Sequence, residues 1–276
     1  MNRGSAGAAK TALAPASEGR QLGQGRLSNP LQGARRLQAP TLPEDQLLYA
    51  LGDIHGRSDL LADLLAEIEA DAAESGLARR TLVFLGDYVD RGPDSRGVVE
   101  MLISNLPQGF DAYFLKGNHE AMLLDFQRDP SHLELWLANG GDATLRSYGV
   151  DVDGLHRQRA APETWREAYA SALPYSHRRF LEDLNLMVSF GDYLFVHAGV
   201  KHGVPLDAQD PGDLVWIRDE FLHSKETFGK MLVHGHTPVH AAEVCDNRID
   251  IDTGAVFSGR LTALRLEGRT RRFLQT

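Results

Sequence analysis

The sequence predicts an α/β domain behind a polar, basic tail. Three observations point there. Apolar runs of strand length alternate with amphipathic helical stretches between residues 44 and 115. A Gly-Asp or Gly-Asn pair follows each of those runs, and strand patterns return after residue 186 beyond a helical middle.

The elements follow in order. "QLLYAL" (46–51) is a short strand that runs into "GDIHG". "SDLLADLLAEIEADAAE" then places Leu60, Leu61, Leu64, Leu65 and Ile68 on one helical face, with Ser58 as N-cap. "TLVFL" (81–85) is the second strand and leads into "GDYVDRG"; "SRGVVEMLISNL" is a helix; "DAYFL" (111–115) is a third strand entering "KGNHE". This β-α-β-α-β rhythm implies a parallel sheet with crossover helices, and open α/β sheets gather their sites at the carboxyl ends of strands. All three polar motifs fall at such ends. Residues 120–185 read as helices, including "TWREAYASAL" and "SHRRFLEDL". From Leu186, "LMVSF-GD-YLFVHAG" reads as a hairpin, and "KMLVHGHT", "RIDIDTGAV", "LTALRLEG" and "TRRFLQT" follow at the short spacing of antiparallel structure.

Composition bounds the function. The chain has 276 residues, ordinary apolar and charged fractions, and a single cysteine, Cys245, which excludes an internal disulfide framework and fits a reducing, cytoplasmic setting. No apolar run approaches the roughly 18–20 residues of a membrane span, so no membrane partner is expected. Net charge is −9, but residues 1–40 hold six basic residues against Glu18 alone, which leaves −14 on the remainder. An acidic body argues against nucleic acid as a partner. It also requires a local reversal of sign if the substrate is an anion, which metal ions would supply. Residues 1–43, rich in Gly, Ala, Ser, Gln and Arg, read as a disordered basic tail, with an organellar transit peptide as the alternative; residues 44–276 form the folded domain, expected as a monomer.

Five strand-end segments carry the chemistry: Asp53 and His55 in "GDIHG", Asp87, Asp90 and Arg91 in "GDYVDRG", Asn118 and His119 in "GNHE", His197 in "VHAG" and His236 in "VHGHT". A Gly-Asp turn or a histidine after a strand is ordinary by itself; the ordered set is not. Carboxylate, imidazole and amide oxygen are borderline-to-hard donors that suit Mn, Fe or Zn. Two ions about 3.5–4 Å apart need a bridging carboxylate, which a central strand end can place.

The five motifs resemble the phosphoprotein phosphatase family of calcineurin-like metallophosphoesterases, in particular its bacterial serine/threonine protein phosphatases, from about Leu48 to Gly254. The resemblance implies two mixed β-sheets packed as a sandwich flanked by helices, with the site at the carboxyl ends of the strands. It implies two divalent ions, Mn²⁺ foremost, with Fe or Zn as alternatives. Asp53 and His55 would hold the first ion, Asp87 would bridge, and Asn118, His197 and His236 would hold the second. His119 would be the general acid oriented by Asp90, while Arg91, Asn118 and Arg218 (in "LVWIRDE") would bind phosphate. The implied reaction is hydrolysis of phosphoserine or phosphothreonine in proteins by in-line attack of a dimetal-bound hydroxide.

Two departures matter. Broader metallophosphoesterases often end in Gly-His-x-His, whereas this chain reads Gly235-His236-Thr237-Pro238, as the phosphatases do. A symmetrical dinucleoside tetraphosphatase is the alternative function. Those relatives typically replace the aspartate corresponding to Asp90 and read Gly-Asn-His-Asp, which favours the protein phosphatase here. A metal-free binding scaffold is a third reading, disfavoured because every ligand survives. "NGGDATLRSYG" (139–149) also resembles bacterial family members and reads as a helix stop; Asp252 is expected to shape a turn beside the site, and His234 to be structural.

Overall fold

A computed structural model describes residues 39–276. Strand β1 (Gln46–Leu51), helix α1 (Ser58–Ser75), β2 (Arg79–Phe84), α2 (Ser95–Ser104) and β3 (Phe110–Phe114) form the expected βαβαβ unit. Six helices follow: α3 (Asn118–Arg128), α4 (Leu133–Ala138), α5 (Gly141–Ser147), α6 (Val152–Arg157), α7 (Pro162–Ala172) and α8 (Tyr175–Glu182). The second half holds β4 (Met187–Phe190), β5 (Tyr193–Val196), α9 (Pro211–Trp216), α10 (Asp219–Leu222), β6 (Met231–His234), β7 (Glu243–Val244), β8 (Arg248–Asp250), α11 (Ala255–Ser258), β9 (Thr262–Glu267) and β10 (Thr270–Gln275).

The strands make two five-stranded mixed sheets, ordered β10-β9-β1-β2-β3 and β4-β5-β6-β8-β7. Alternation along each strand explains why they stack. Leu47, Tyr49 and Leu51 of β1 turn towards α1 and α2, while Leu48 and Ala50 turn the other way and meet Tyr193, Phe195, Val233 and Ile249 of the second sheet. Leu194, Val196 and Leu232, on the far face of that sheet, pack with Leu214 of α9 and Phe221 of α10. Strands buried on both faces read as continuous apolar runs, as β1 and β5 do. The layers are therefore helix, sheet, sheet, helix, as the resemblance implied.

Three readings need correction. The second half is antiparallel in most of its pairings but not throughout: β5-β6 and β6-β8 pair in parallel, and the β4-β5 and β7-β8 pairs run antiparallel in the same sheet. The β9-β10 hairpin leaves it and returns to pair antiparallel with β1 in the first sheet. Ser58 is the first residue of α1 rather than its cap; its hydroxyl donates to Asp94 at 2.6 Å.

The boundary at residue 43 also moves. Leu42 is 2% exposed within the core between the sheets, its N–H donates to Gly268 at 2.9 Å, and Tyr193 donates its hydroxyl to the Pro40 carbonyl. Residues 40–43 thus belong to the domain. The tail reading for residues 1–38 lies outside the described residues. Among the described residues no helix is long and apolar enough to cross a membrane.

Candidate dimetal site

Loops at the carboxyl ends of β1, β2, β3, β5 and β6 bring Asp53, His55, Asp87, Asn118, His119, His197 and His236 together, all nearly fully buried. The backbone is forced to do it. His55, Asp87, Asp90, Arg91 and His236 all have positive φ, between 46° and 71°, and among the described residues only Arg159 joins them outside glycine. Each such conformation costs on the order of 1–3 kcal/mol, a cost carried by the surrounding packing and common at functional sites. Close approach also dictates Gly86, with φ 106°, since a Cβ there would lie 2.6 Å from the Gly117 nitrogen.

Asp87 sits at the centre. Its Oδ2 lies 3.5 Å from His55 Nε2, and its Oδ1 lies 3.5 Å from His197 Nε2. His55 Nδ1 meets the Val89 carbonyl at 2.9 Å and His197 Nδ1 meets the Leu85 carbonyl at 2.9 Å. A carbonyl can only accept, so both Nδ1 atoms carry the proton and both Nε2 atoms turn a lone pair inward. Asn118 Oδ1 stands 3.0 Å from His197 Nε2 and 2.8 Å from His236 Nδ1. Asp53 accepts the His236 N–H at 3.1 Å.

This donor set fits divalent ions. Acceptor atoms of Asp87, Asn118 and His197 converge in a buried space, an arrangement that a cation resolves, and the Nδ1 bonds of His55 and His197 fix those two rings as metal ligands require. On the His55 side the cation at hand is Arg91, whose Nη1 meets His55 Nε2 at 2.8 Å.

Electrostatics point the same way. Burial pushes the Asp87 carboxyl up, but His197, His119, His55 and His236 outweigh burial and hold it below the usual carboxylate range. Burial, followed by Asp252 and Asp87, pushes Asp53 well above that range, and burial raises Asp252 to about 6. Burial lowers His55 to about 3 and His236 to about 2, so both imidazoles are neutral and available as ligands at neutral pH.

His119 differs from the other histidines. Its Nδ1 meets Asp90 Oδ2 at 2.7 Å, while its buried Nε2 has no hydrogen-bond partner and lies 3.9 Å from Asp87 Oδ2. Asp90 also accepts Trp136 Nε1 at 3.0 Å and the Thr144 hydroxyl at 2.7 Å. Trp136 and Thr144 sit on α4 and α5, and the sequence singled out neither. For Thr144 the signal was the "NGGDATLRSYG" stretch, which does stop α4 at its glycines but also donates to Asp90 through Thr144 and accepts the Arg91 N–H on the Gly140 carbonyl; Trp136 lies before it and had none. Arg91 and Arg218 are both exposed at the mouth; Arg218 makes no side-chain hydrogen bond or ion pair among the described residues. Asp252 accepts the Gly254 N–H at 2.9 Å and closes a turn beside Asp53. His234 is fully buried against Phe221, and His177, without motif context, is held between Tyr148 and Glu100.

Comparison with known proteins places this geometry. Over 236 residues the chain is 30% identical to the asymmetrical bis(5'-nucleosyl)-tetraphosphatase of Bacillus mycoides, covering 78% of this chain and 88% of that protein. It is 29% identical to serine/threonine-protein phosphatase 1 of Salmonella typhimurium, covering 80% and 92%. Among solved structures, a protein-tyrosine phosphatase of a psychrophilic Shewanella shares the fold with a TM-score of 0.52 at 18% identity, over 85% of this chain and 83% of that one. The family model for calcineurin-like phosphoesterases matches residues 47–259, and the chain belongs to that family.

Proposed function

We propose that this phosphoesterase is a metal-dependent phosphomonoesterase acting on phosphoserine and phosphothreonine in proteins. The observation that carries the reading is the buried His119–Asp90 pair. An alkoxide leaves phosphorus poorly and needs a proton as the P–O bond breaks, which a positioned imidazolium delivers. His119 Nε2 is free to do so because Nδ1 is held by Asp90 at 2.7 Å. Burial lowers the His119 pKa, but Asp87 and Asp90 outweigh it and raise it overall, which favours the protonated ring.

In this reading Asp53 and His55 would hold one divalent ion, Asn118, His197 and His236 would hold the other, and Asp87 would serve both; the buried groups His55–Asp87–His119 and Asp87–His197–His236 support two positions that share Asp87. Mn²⁺ suits the mixed oxygen and imidazole donors, as Fe or Zn would. When bound, the ions supply Lewis-acid polarisation of the phosphoryl group and activation of water. Arg91 and Arg218 clamp the phosphoryl oxygens from the open side of the site, and Asn118 adds its amide. The clamp also gives a locally positive entry to an otherwise acidic body. Phosphoprotein substrates are the partners in this reading.

A second reading is hydrolysis of dinucleoside polyphosphates, favoured by relatives of that name at the same level of identity as the protein phosphatase. The test is turnover with added Mn²⁺ across a phosphoserine peptide, diadenosine tetraphosphate and a phosphodiester. Fastest turnover of the phosphopeptide supports the first reading; faster hydrolysis of the dinucleotide reverses the order.

A further inference from the structure

Two large aromatic side chains stand in solvent at the mouth of the site. Phe257 is 71% exposed and Trp216 is 43% exposed. They flank opposite ends of the polar floor. The Phe257 ring centroid lies 5.8 Å from the Arg91 guanidinium carbon, and Arg91 reaches His55 on the Oδ2 side of Asp87. The Trp216 ring packs edge-on against His236 at 6.2 Å, and His236 joins Asn118 and His197 on the Oδ1 side.

Phe257 is held out rather than left loose. It sits on α11, a four-residue helix between Gly254 and Gly259, both at positive φ. Arg57 donates to the Ala255 carbonyl at 3.1 Å and Ser258 donates to the Thr253 carbonyl at 2.8 Å. An apolar ring braced in this way buries little of its own surface, and its recorded partner is the Arg91 guanidinium at its face. It is ready to stack on a flat ligand.

We propose that Phe257 and Trp216 form a subsite for nucleobases, taking the bases of a dinucleoside polyphosphate whose phosphate chain lies over the floor between them. The proposal rests on the second reading above and assigns it residues. Charge complementarity selects this occupant: the Arg91 guanidinium stands beside the Phe257 ring, and exposed Arg218, two residues after Trp216, lies near enough to act on His236, matching a polyanion with an aromatic group at each end. A phosphoserine peptide carries no ring on its leaving group, and a phosphotyrosyl group has one ring, which cannot use both ends of the floor. In the reaction, water oxygen bonds to phosphorus and a P–O–P bond breaks. The bridging oxygen leaves with the electron pair on one nucleotide, and the two protons of the water are shared between the products and solvent.

The experiment compares kcat/KM for diadenosine tetraphosphate with that for glycerol 2-phosphate, which has no ring, in the Mn²⁺-loaded full chain, with a phosphotyrosyl peptide as a third substrate. Phe257→Ala and Trp216→Ala should each lower the ratio about tenfold, as loss of one base-stacking face does. Phe257→Leu, which keeps an apolar side chain without the flat face, should do the same. Tyr175→Ala, which removes the 76% exposed tyrosine of α8, should leave the ratio unchanged. A wild-type enzyme that does not hydrolyse the dinucleotide removes both the second reading and the subsite. Hydrolysis with ratios within twofold of wild type in all ring variants leaves the reading standing and removes the subsite. Equal losses on both substrates make the rings structural, and a loss confined to a phosphotyrosyl peptide assigns them to a tyrosyl ring; either result overturns the proposal.

Discussion

The Glu120 carboxylate accepts the backbone N–H of Asp87 at 2.9 Å and so ties the loop after β3 to the loop after β2. Each of its oxygens takes two donors: Asp87 and Gly117 on Oε2, Tyr88 and Val89 on Oε1. One buried side chain thereby holds the whole turn that presents Asp87 at φ 52°. Glu120→Gln places an NH₂ against two backbone N–H groups. Each orphaned donor costs about 1–3 kcal/mol. The variant should melt lower and bind metal more weakly; unchanged melting would show that the clamp is dispensable.

Metal binding tests Asp87 itself. Asp87→Asn keeps the shape but offers a neutral amide to two cations, and an amide bridges poorly. Metal content by elemental analysis should fall for both ions, with activity lost at any Mn²⁺ concentration. His236→Ala should instead lose one ion and recover in part at high Mn²⁺. Wild-type metal content in Asp87→Asn would sink the bridging role.

Truncation tests the domain boundary. Removing residues 1–43 exposes the space filled by Leu42, which is buried between the sheets, and cuts the Leu42 bond to Gly268. Losing a buried leucine costs about 2–5 kcal/mol. The truncation should therefore melt several degrees below one that removes residues 1–38, as followed by circular dichroism. Equal melting of the two would return residues 40–43 to the tail.

Much of this fold and site was legible because the informative residues are local. The ends of β1, β2 and β3 announce themselves by an apolar run breaking into Gly-Asp or Gly-Asn, those of β5 and β6 by one breaking into histidine and glycine, and the predicted ligands follow within a few positions. The parallel pairing of β5, β6 and β8 was hidden because the connection between β5 and β6 holds only α9 and α10, of six and four residues, too short for a helical period. The partners of Asp90 were hidden for another reason. Trp136 and Thr144 lie 46 and 54 positions away, and on their helices they look like packing residues. Only the folded chain shows that one polar atom of each points at the site.

The pH dependence of stability has a defined sign at Asp250. Burial pushes its carboxyl up to about 8, against an ordinary value near 3.8 in the unfolded chain. The folded state therefore binds more protons between these values, and stability falls as pH rises from about 4 to 8. Asp250→Asn removes that titration while keeping an acceptor for the Asp252 N–H, now 3.0 Å from Oδ1. In EDTA, urea midpoints of the wild type should drop from pH 5 to pH 8 more steeply than those of the variant. Parallel slopes would mean that Asp250 is ionised throughout.

The last test separates proton donation from phosphate binding. His119→Asn keeps a polar side chain but cannot deliver a proton. On a phosphoserine peptide, whose alkoxide must be protonated, it should lose about 10²–10⁴-fold in turnover. On p-nitrophenyl phosphate, whose leaving group departs unaided, the loss should be distinctly smaller. Asp90 orients the ring from Nδ1, and Trp136 and Thr144 in turn fix Asp90. Asp90→Asn and Thr144→Val should then show the same ordering of substrates with smaller losses, in that sequence. A merely structural fault would lower both substrates alike, so the ratio between them is the readout. Equal losses at intact metal content would make His119 a phosphate ligand, and Thr144 a packing residue.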